Sequence, residues 1–281
     1  MKTWQQATGW LDLSETDRHR FVPTRFQSPD ARQPHLVWLG HSSFYLAWHG
    51  QRIWIDPVLT RWVSLAKRHF AFPLNLSQLV QEADWVVLSH AHMDHFHLPS
   101  LRLFPKHTRL IHPAGTERFL PDAVLPERIP CKLGDQLELA PQLWVEAYPA
   151  LHGGWRYPWQ RGLQALAHLF GDEQKTVYNA GDTAYGDGAT FRAVYQQMGK
   201  APDIALLPIG AYSPRWFLRD KHCTPEEAVQ AAHDLGYPAT VIPCHFGTFR
   251  LSQDNPAAAL PRFAQAASQA GIKWTVPMAI A

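Results

Sequence analysis

An α/β fold in four layers, αββα, with two β-sheets packed on each other and helices on the outside, is predicted by three observations. The elements run strands then helix, then strands then helix again, an order that two packed sheets with outer helices satisfy. The strand signals are short apolar or alternating runs bounded by turn residues. The chain has 281 residues, 46% apolar and 18% charged, a globular composition able to bury a large core.

In order, residues 1–34 carry mixed charge without clean periodicity and are expected to form an N-terminal arm on the outside of a single domain spanning 35–281. "HLVWLG" (35–40), "SSFYLAW" (42–48) and "RIWIDP" (52–57) read as a strand meander turning at His49-Gly50. Val58–Asn75 interleaves aromatic and basic residues and reads as a long surface loop. "LSQLVQEA" suits a short helix and "DWVVLSH" a buried strand. Then come "LPSLRLF" as helix, "TRLIHP" as strand and "GTERFLP" as a further short helix. From Cys131 to Ala180, "DQLELA", "LWVEAYPA", "LQALAHLF" and "KTVYNA" read as a second, antiparallel set of strands. "GDGATFRAVYQQMG" has helical spacing and "DIALLPIG" is a buried strand. "TPEEAVQAAHDLG" is a helix with Thr224 as N-cap, Pro225 in its first position and Gly236 closing it. "ATVIPCHFG" is another buried strand, and "NPAAALPRFAQAASQAG" a last helix.

Composition excludes several classes. No run approaches the ~20 apolar residues of a membrane span, and the first twenty residues lack the apolar core and cleavage site of a secretory signal. Cys131, Cys223 and Cys244 form neither an even disulfide set nor a CxxC pair, so a reducing, cytoplasmic setting is expected. A net charge of +2 without a long basic run leaves no footprint for nucleic acid. The aromatic-basic stretches "RWVSLAKRHFAF" and "GGWRYPWQR" suit peripheral contact with a membrane surface, and equally an ordinary packed loop. Oligomeric state has no signature here.

Within "DWVVLSHAHMDHFHLP" four histidines and an aspartate crowd into eight residues behind a buried strand. Alternate residues of an extended chain share a face, so His90 and His92 can aim at one metal position, while Asp94 and His95, where the chain turns, can face a second. Imidazole with carboxylate suits zinc, with iron or manganese as alternatives, and paired ions about 3.5–4 Å apart can clamp both oxygens of a displacement. Further ligands are sought at other strand ends, where His152 in "AYPALHGG", Asp182 in "YNAGDTAYGD" and His245 in "VIPCHFGTF" each precede glycine or a short polar turn.

This set resembles the ligands of the metallo-β-lactamase superfamily. "LGHSSF", "IDPV", "LSHAHMDH", "AGDTAYGD", "PIGAYSPRWF", "HCTPEEAV" and "HFGTF" resemble, in order, its N-acylphosphatidylethanolamine-hydrolysing phospholipase D branch, which has relatives among lactone-hydrolysing enzymes. The resemblance implies the metallo-β-lactamase fold and two zinc ions, one on His90, His92 and His152, the other on Asp94, His95 and His245, with Asp182 bridging. It implies a phosphodiesterase of phospholipase D type that uses a metal-bridging hydroxide on a phospholipid or small-molecule substrate. A lactone or carboxylic-ester hydrolase on the same ions is the alternative. Asp94, Asp182 and His222 are the residues expected in catalysis, His222 binding the phosphate or protonating the leaving alcohol. Asp56 is expected to support a ligand histidine, His41 is left between a core and a catalytic role, and His97 is unassigned.

Overall fold

The structure, a computed structural model, describes residues 14–26, 30–69, 76–157, 159–160 and 162–279. Along the chain its strands are β1 Phe21–Thr24, β2 His35–Trp38, β3 Phe44–Trp48, β4 Gln51–Ile55, β5 Trp62–Val63, β6 Ala66–Lys67, β7 Trp85–Val87 and β8 Arg109–Pro113. They continue with β9 Arg128–Cys131, β10 Gln136–Ala140, β11 Leu143–Gly153, β12 Gln164–Gly171, β13 Thr176–Asn179, β14 Ile204–Pro208, β15 Thr240–Cys244 and β16 Val276–Ala279. One sheet has the order β1-β16-β2-β3-β4-β7-β8-β9, and the other runs β10 to β15 in chain order.

Period-two alternation explains why the first sheet is buried on both faces. Leu36, Trp38, Phe44, Leu46, Ile53, Ile55, Trp85, Val87 and Ile111 point into the core shared with the second sheet. Their neighbours Val37, Tyr45, Trp54, Val86 and Leu110 point the other way, into a separate cluster with Leu76, Val80, Leu101 and Phe104 from the short helices Ser77–Gln81 and Leu98–Leu101 and the segment around them. On the far side, helices Ala189–Met198, Pro225–Asp234 and Ala259–Gln269 add Phe191, Val194, Ala228, Leu260 and Phe263 to the shared core. These layers are those of the metallo-β-lactamase fold.

The capping box at Thr224 is complete, with its hydroxyl accepting from the Glu227 amide and the Glu227 carboxylate accepting from the Thr224 amide. Leu235 closes that helix, and Gly236 one residue later takes the left-handed φ of 80°. Three differences from the sequence reading have physical reasons. The 58–75 segment is more than a surface loop, since β5 and β6 form a small hairpin and Val58 and Val63 are buried with Phe249; residues 70–75 lie outside the described residues. Strands β1 and β9 went unrecognised because each contains a proline, which the sheet tolerates at its two edges. Strand β16 also holds a proline, Pro277, and pairs in parallel with β1 at one side and β2 at the other.

Strands β4, β7 and β8 run parallel in the first sheet, as do β13, β14 and β15 in the second, so the loops at their C-terminal ends gather on one edge of the sandwich. That edge holds Asp56, the 89–97 segment, Asp182 and His245. Among the described residues no helix is long and apolar enough to cross a membrane.

Candidate metal centre

Beyond β7 the chain turns back on itself, with the His95 and Phe96 amides both donating to the His92 carbonyl, at 3.1 and 2.8 Å. Phe96, fully buried in the outer cluster, anchors this turn. The backbone is left-handed at His41 (φ 56°), Asp56 (φ 41°) and His245 (φ 58°), and such strained conformations concentrate where a fold aims side chains at a site. Two glycines allow close approach. Gly181 has φ 58°, and a Cβ on Gly210 would lie 1.9 Å from the His245 carbonyl oxygen.

The predicted ligands converge. His90 Nε2 and His92 Nδ1 are 2.9 Å apart, and His152 Nε2 is 3.0 Å from the same His92 nitrogen. Asp182 Oδ2 lies 3.2 Å from both His95 Nε2 and His245 Nε2, 3.8 Å from His90 Nε2 and 3.9 Å from His152 Nε2. Two donor groups result, His90, His92, His152 and Asp182 in one and His41, Asp94, His95 and His245 in the other, the donor atoms of each lying within 4.8 Å of one another. His222 joins Asp182 and His245 in a third grouping, with its Nδ1 3.9 Å from Asp182 Oδ2.

These residues fit a metal. The nitrogens His95 Nε2 and His245 Nε2 and the oxygen Asp182 Oδ1, all at the cluster, are buried without a hydrogen-bond partner. Leaving several such polar atoms unpaired would cost about 1–3 kcal/mol each, and cations held by these donor groups would satisfy them. The donors are imidazole and carboxylate, suited to zinc, iron or manganese. Cys244, beside His245 in the chain, is in none of the donor groups found among the described residues, and in the metal-free chain burial pushes its thiol pKa well above the usual value.

Groups behind the cluster set the tautomers. His95 Nδ1 donates to Asp56 Oδ2 at 2.7 Å, and Asp56 also accepts from the Ser89 amide and hydroxyl at 2.8 and 2.6 Å. His152 Nδ1 donates to the Lys221 carbonyl at 2.7 Å. In both rings this leaves Nε2 bare and turned to the cluster. Burial drives His92 and His41 down to about 4, keeping them neutral. Burial also pulls on His245, but Asp182 and Asp94 outweigh it and raise the ring to about 9. At Asp182 burial favours the neutral acid, and the charges of His245 and His95 overcome it, holding the carboxyl well below its ordinary range.

Three features escaped the sequence reading. His41 Nε2 bonds Asp94 Oδ2 at 2.9 Å. Trp155 stands edge-on to His92, 4.6 Å between ring centres. Arg156 clamps the ligand loop by donating to the Ala91 and Phe96 carbonyls at 3.2 and 2.9 Å. The only signal for the last two lay in the aromatic-basic stretch at 153–161, of which 158 and 161 are outside the described residues. His97 lies apart from the cluster, its Nδ1 on Ser100 Oγ at 2.8 Å at the head of the helix Leu98–Leu101.

A double-sheet sandwich that gathers histidines and aspartates from both sheets onto one edge is the framework of a metal-dependent hydrolase. Residues 51–246 match the family described as the Beta-lactamase superfamily domain, and the chain belongs to that superfamily, the metallo-β-lactamases. It is 31% identical over 225 residues to a metal-dependent hydrolase of Methanoculleus marisnigri, covering 78% of this chain and 84% of that one. It is 28% identical over 235 residues to N-acyl-phosphatidylethanolamine-hydrolyzing phospholipase D 1 of Caenorhabditis elegans, and 30% identical over 232 residues to the mitochondrial enzyme of that name in Saccharomyces cerevisiae. Those matches cover 76% and 77% of this chain but only 64% and 48% of the relatives, under two thirds of their length. Among solved structures, a metallo hydrolase of Ignicoccus hospitalis superposes with a TM-score of 0.62 at 25% identity, covering 86% of this chain and 93% of that one.

Proposed function

We propose that the chain is a dinuclear zinc hydrolase that cleaves phosphodiesters in the manner of a phospholipase D, freeing an alcohol or N-acyl amine. The observation that carries this reading is the position of Asp182, whose Oδ2 stands within 3.9 Å of histidines from both donor groups. One ion would be held by His90, His92 and His152, the other by Asp94, His95 and His245, with Asp182 serving both. When bound, such a pair supplies Lewis-acid neutralisation of phosphoryl charge and a water acidic enough to ionise near neutral pH.

The chain's own groups do the rest. Asp56 and the Lys221 carbonyl hold His95 and His152 in the tautomer that presents Nε2. Asp94 and Asp182 keep negative charge beside the imidazoles. His222, 8% exposed with Nδ1 unpartnered, is the group to hold a phosphate oxygen or give a proton to the departing alkoxide. Its backbone is pinned by the Leu218 carbonyl at 2.9 Å and by Arg215, which bonds the His222 carbonyl at 2.8 Å and pairs with Glu227. The phospholipase D relatives support a phosphodiester as the bond cleaved.

The segments bordering the site carry exposed aromatic rings. Trp159 and Trp216 are 76% and 83% exposed, Phe217 lies beneath the Lys221 ammonium at 3.5 Å, and Trp62 sits on the β5–β6 hairpin. Aromatic and basic side chains together suit peripheral contact with a phospholipid surface. The three cysteines are free and buried, which supports a reducing compartment, the cytoplasm. The test is a screen of the zinc-loaded protein on bis(p-nitrophenyl) phosphate, an N-acylated phosphatidylethanolamine and a lactone, with metal counted per chain. Turnover of the phosphodiesters is expected. Turnover of the lactone alone would replace this reading with carbonyl-ester hydrolysis, and failure to float with anionic vesicles would remove the membrane contact.

A further inference from the structure

His41 belongs to the second donor group by distance and yet differs from its other histidines. Its residue is 2% exposed, and its ring lies 4.1 Å from the His245 ring, centre to centre, with Phe249 edge-on at 5.6 Å. The backbone beneath it is fastened on both sides. The His41 amide donates to Thr248 Oγ1, and its carbonyl accepts from the His245 amide at 2.9 Å and from the Trp38 indole at 2.8 Å. The ring is therefore held in place before any ion arrives.

Nε2 of His95 and of His245 are buried with no hydrogen-bond partner, as a nitrogen waiting for a cation must be, whereas His41 Nε2 is engaged. It meets Asp94 Oδ2 at 2.9 Å, closer than His245 Nε2 at 3.6 Å or His95 Nε2 at 3.8 Å. An imidazole nitrogen this near a carboxylate oxygen carries the proton and donates it. Asp94 is the carboxylate with most freedom to swing, its side chain being 18% exposed against 2% for Asp182. We propose that His41 is a positioning residue: its Nε2–H fixes the rotation of the Asp94 carboxylate and so sets the metal affinity of the position formed by Asp94, His95 and His245, without binding the ion itself. Ordering the carboxylate during folding removes that cost from metal binding. The inference rests on the two-metal reading.

The test uses zinc titration by chelator competition on the full chain, with His41→Ala and His41→Gln beside the parent. Both variants carry the same left-handed backbone cost, so their difference reports the donor. His41→Ala should weaken one zinc position about 10–100-fold and leave the other, on His90, His92 and His152, unmoved. His41→Gln, whose amide can donate to the same oxygen, should recover most of the loss. Unchanged titration of His41→Ala, equal loss at both positions, or a glutamine variant no better than alanine would each overturn the proposal. Histidine 15N spectra of the parent, with and without zinc, decide independently of folding defects in the variants. A neutral His41 ring protonated at Nε2 is expected, and a bare or metal-bound Nε2 overturns the assignment. If the parent takes up a single zinc, the two-metal reading fails, and the tautomer alone still decides whether His41 donates to Asp94.

Discussion

Replacing Asp56 by asparagine keeps the side-chain shape and a residue type that tolerates the left-handed φ of 41°. It changes what the buried group can accept. The two carboxylate oxygens take three hydrogen bonds, from the Ser89 amide, the Ser89 hydroxyl and His95 Nδ1. An asparagine has one acceptor oxygen, so its NH2 must face a donor. In the metal-free chain burial disfavours the charged His95 ring, but Asp182, Asp56 and Asp94 raise its pKa well above the ordinary value, so the change also breaks a fully buried ion pair. Removing one partner of such a pair costs about 3–5 kcal/mol. At the usual unfolding entropy per residue, that loss in a chain of 281 residues lowers Tm by roughly 5–9 °C. His95 also loses the acceptor that turns Nε2 to the cluster, so zinc affinity should fall about 10–100-fold. Calorimetry of the metal-free protein and zinc competition read the two effects. A Tm indistinguishable from the parent's, or an unaltered zinc titration, would refute the role given to Asp56.

His222→Ala should lower kcat on a phosphodiester by about 10²–10⁴-fold with metal content unchanged; intact turnover would remove His222 from the chemistry. Stripping metal with a chelator should abolish activity and lower Tm, and zinc should restore both, because an ion at about 1,000 times its Kd stabilises the folded chain by about 4 kcal/mol; equal melting with and without chelator would count against a bound metal. His168 is buried in β12 with neither ring nitrogen hydrogen-bonded, and burial lowers its pKa to about 4 from 6.5. Its folded value lies below its unfolded one, so the stability it allows is complete above pH 6.5 and falls by up to about 3 kcal/mol as pH drops toward 4, where the unfolded chain takes the proton the folded chain refuses. A plot of urea midpoint against pH should be flatter over that window for His168→Leu, and parallel plots would refute the assignment.

What could be read from the sequence was local or repeated. The Thr224 capping box spans four residues, and the inner and outer faces of β2, β3, β4 and β7 follow from alternation. The cluster at 90–95 announced itself by density. His152, Asp182 and His245 each stand alone along the chain and were singled out by strand-end position together with the family resemblance; the structure brings them to within a few ångströms of that cluster. The His41 contact to Asp94 joins residues 53 apart, and the Arg156 clamp on Ala91 joins residues 65 apart. Neither has a periodicity to betray it, because the strands that bring the partners together are themselves far apart in the chain.

The pairing of β16 between β1 and β2 has a consequence for how the molecule is made. The Thr275 hydroxyl bonds the Arg20 carbonyl across 255 residues of sequence. During synthesis the apolar flank of β2 must wait for a strand translated far later, and an open sheet edge recruits other chains while it waits. A nascent molecule is thus most exposed to misassembly along the open flank of β2, and chaperone dependence or aggregation on overproduction should trace to that strand.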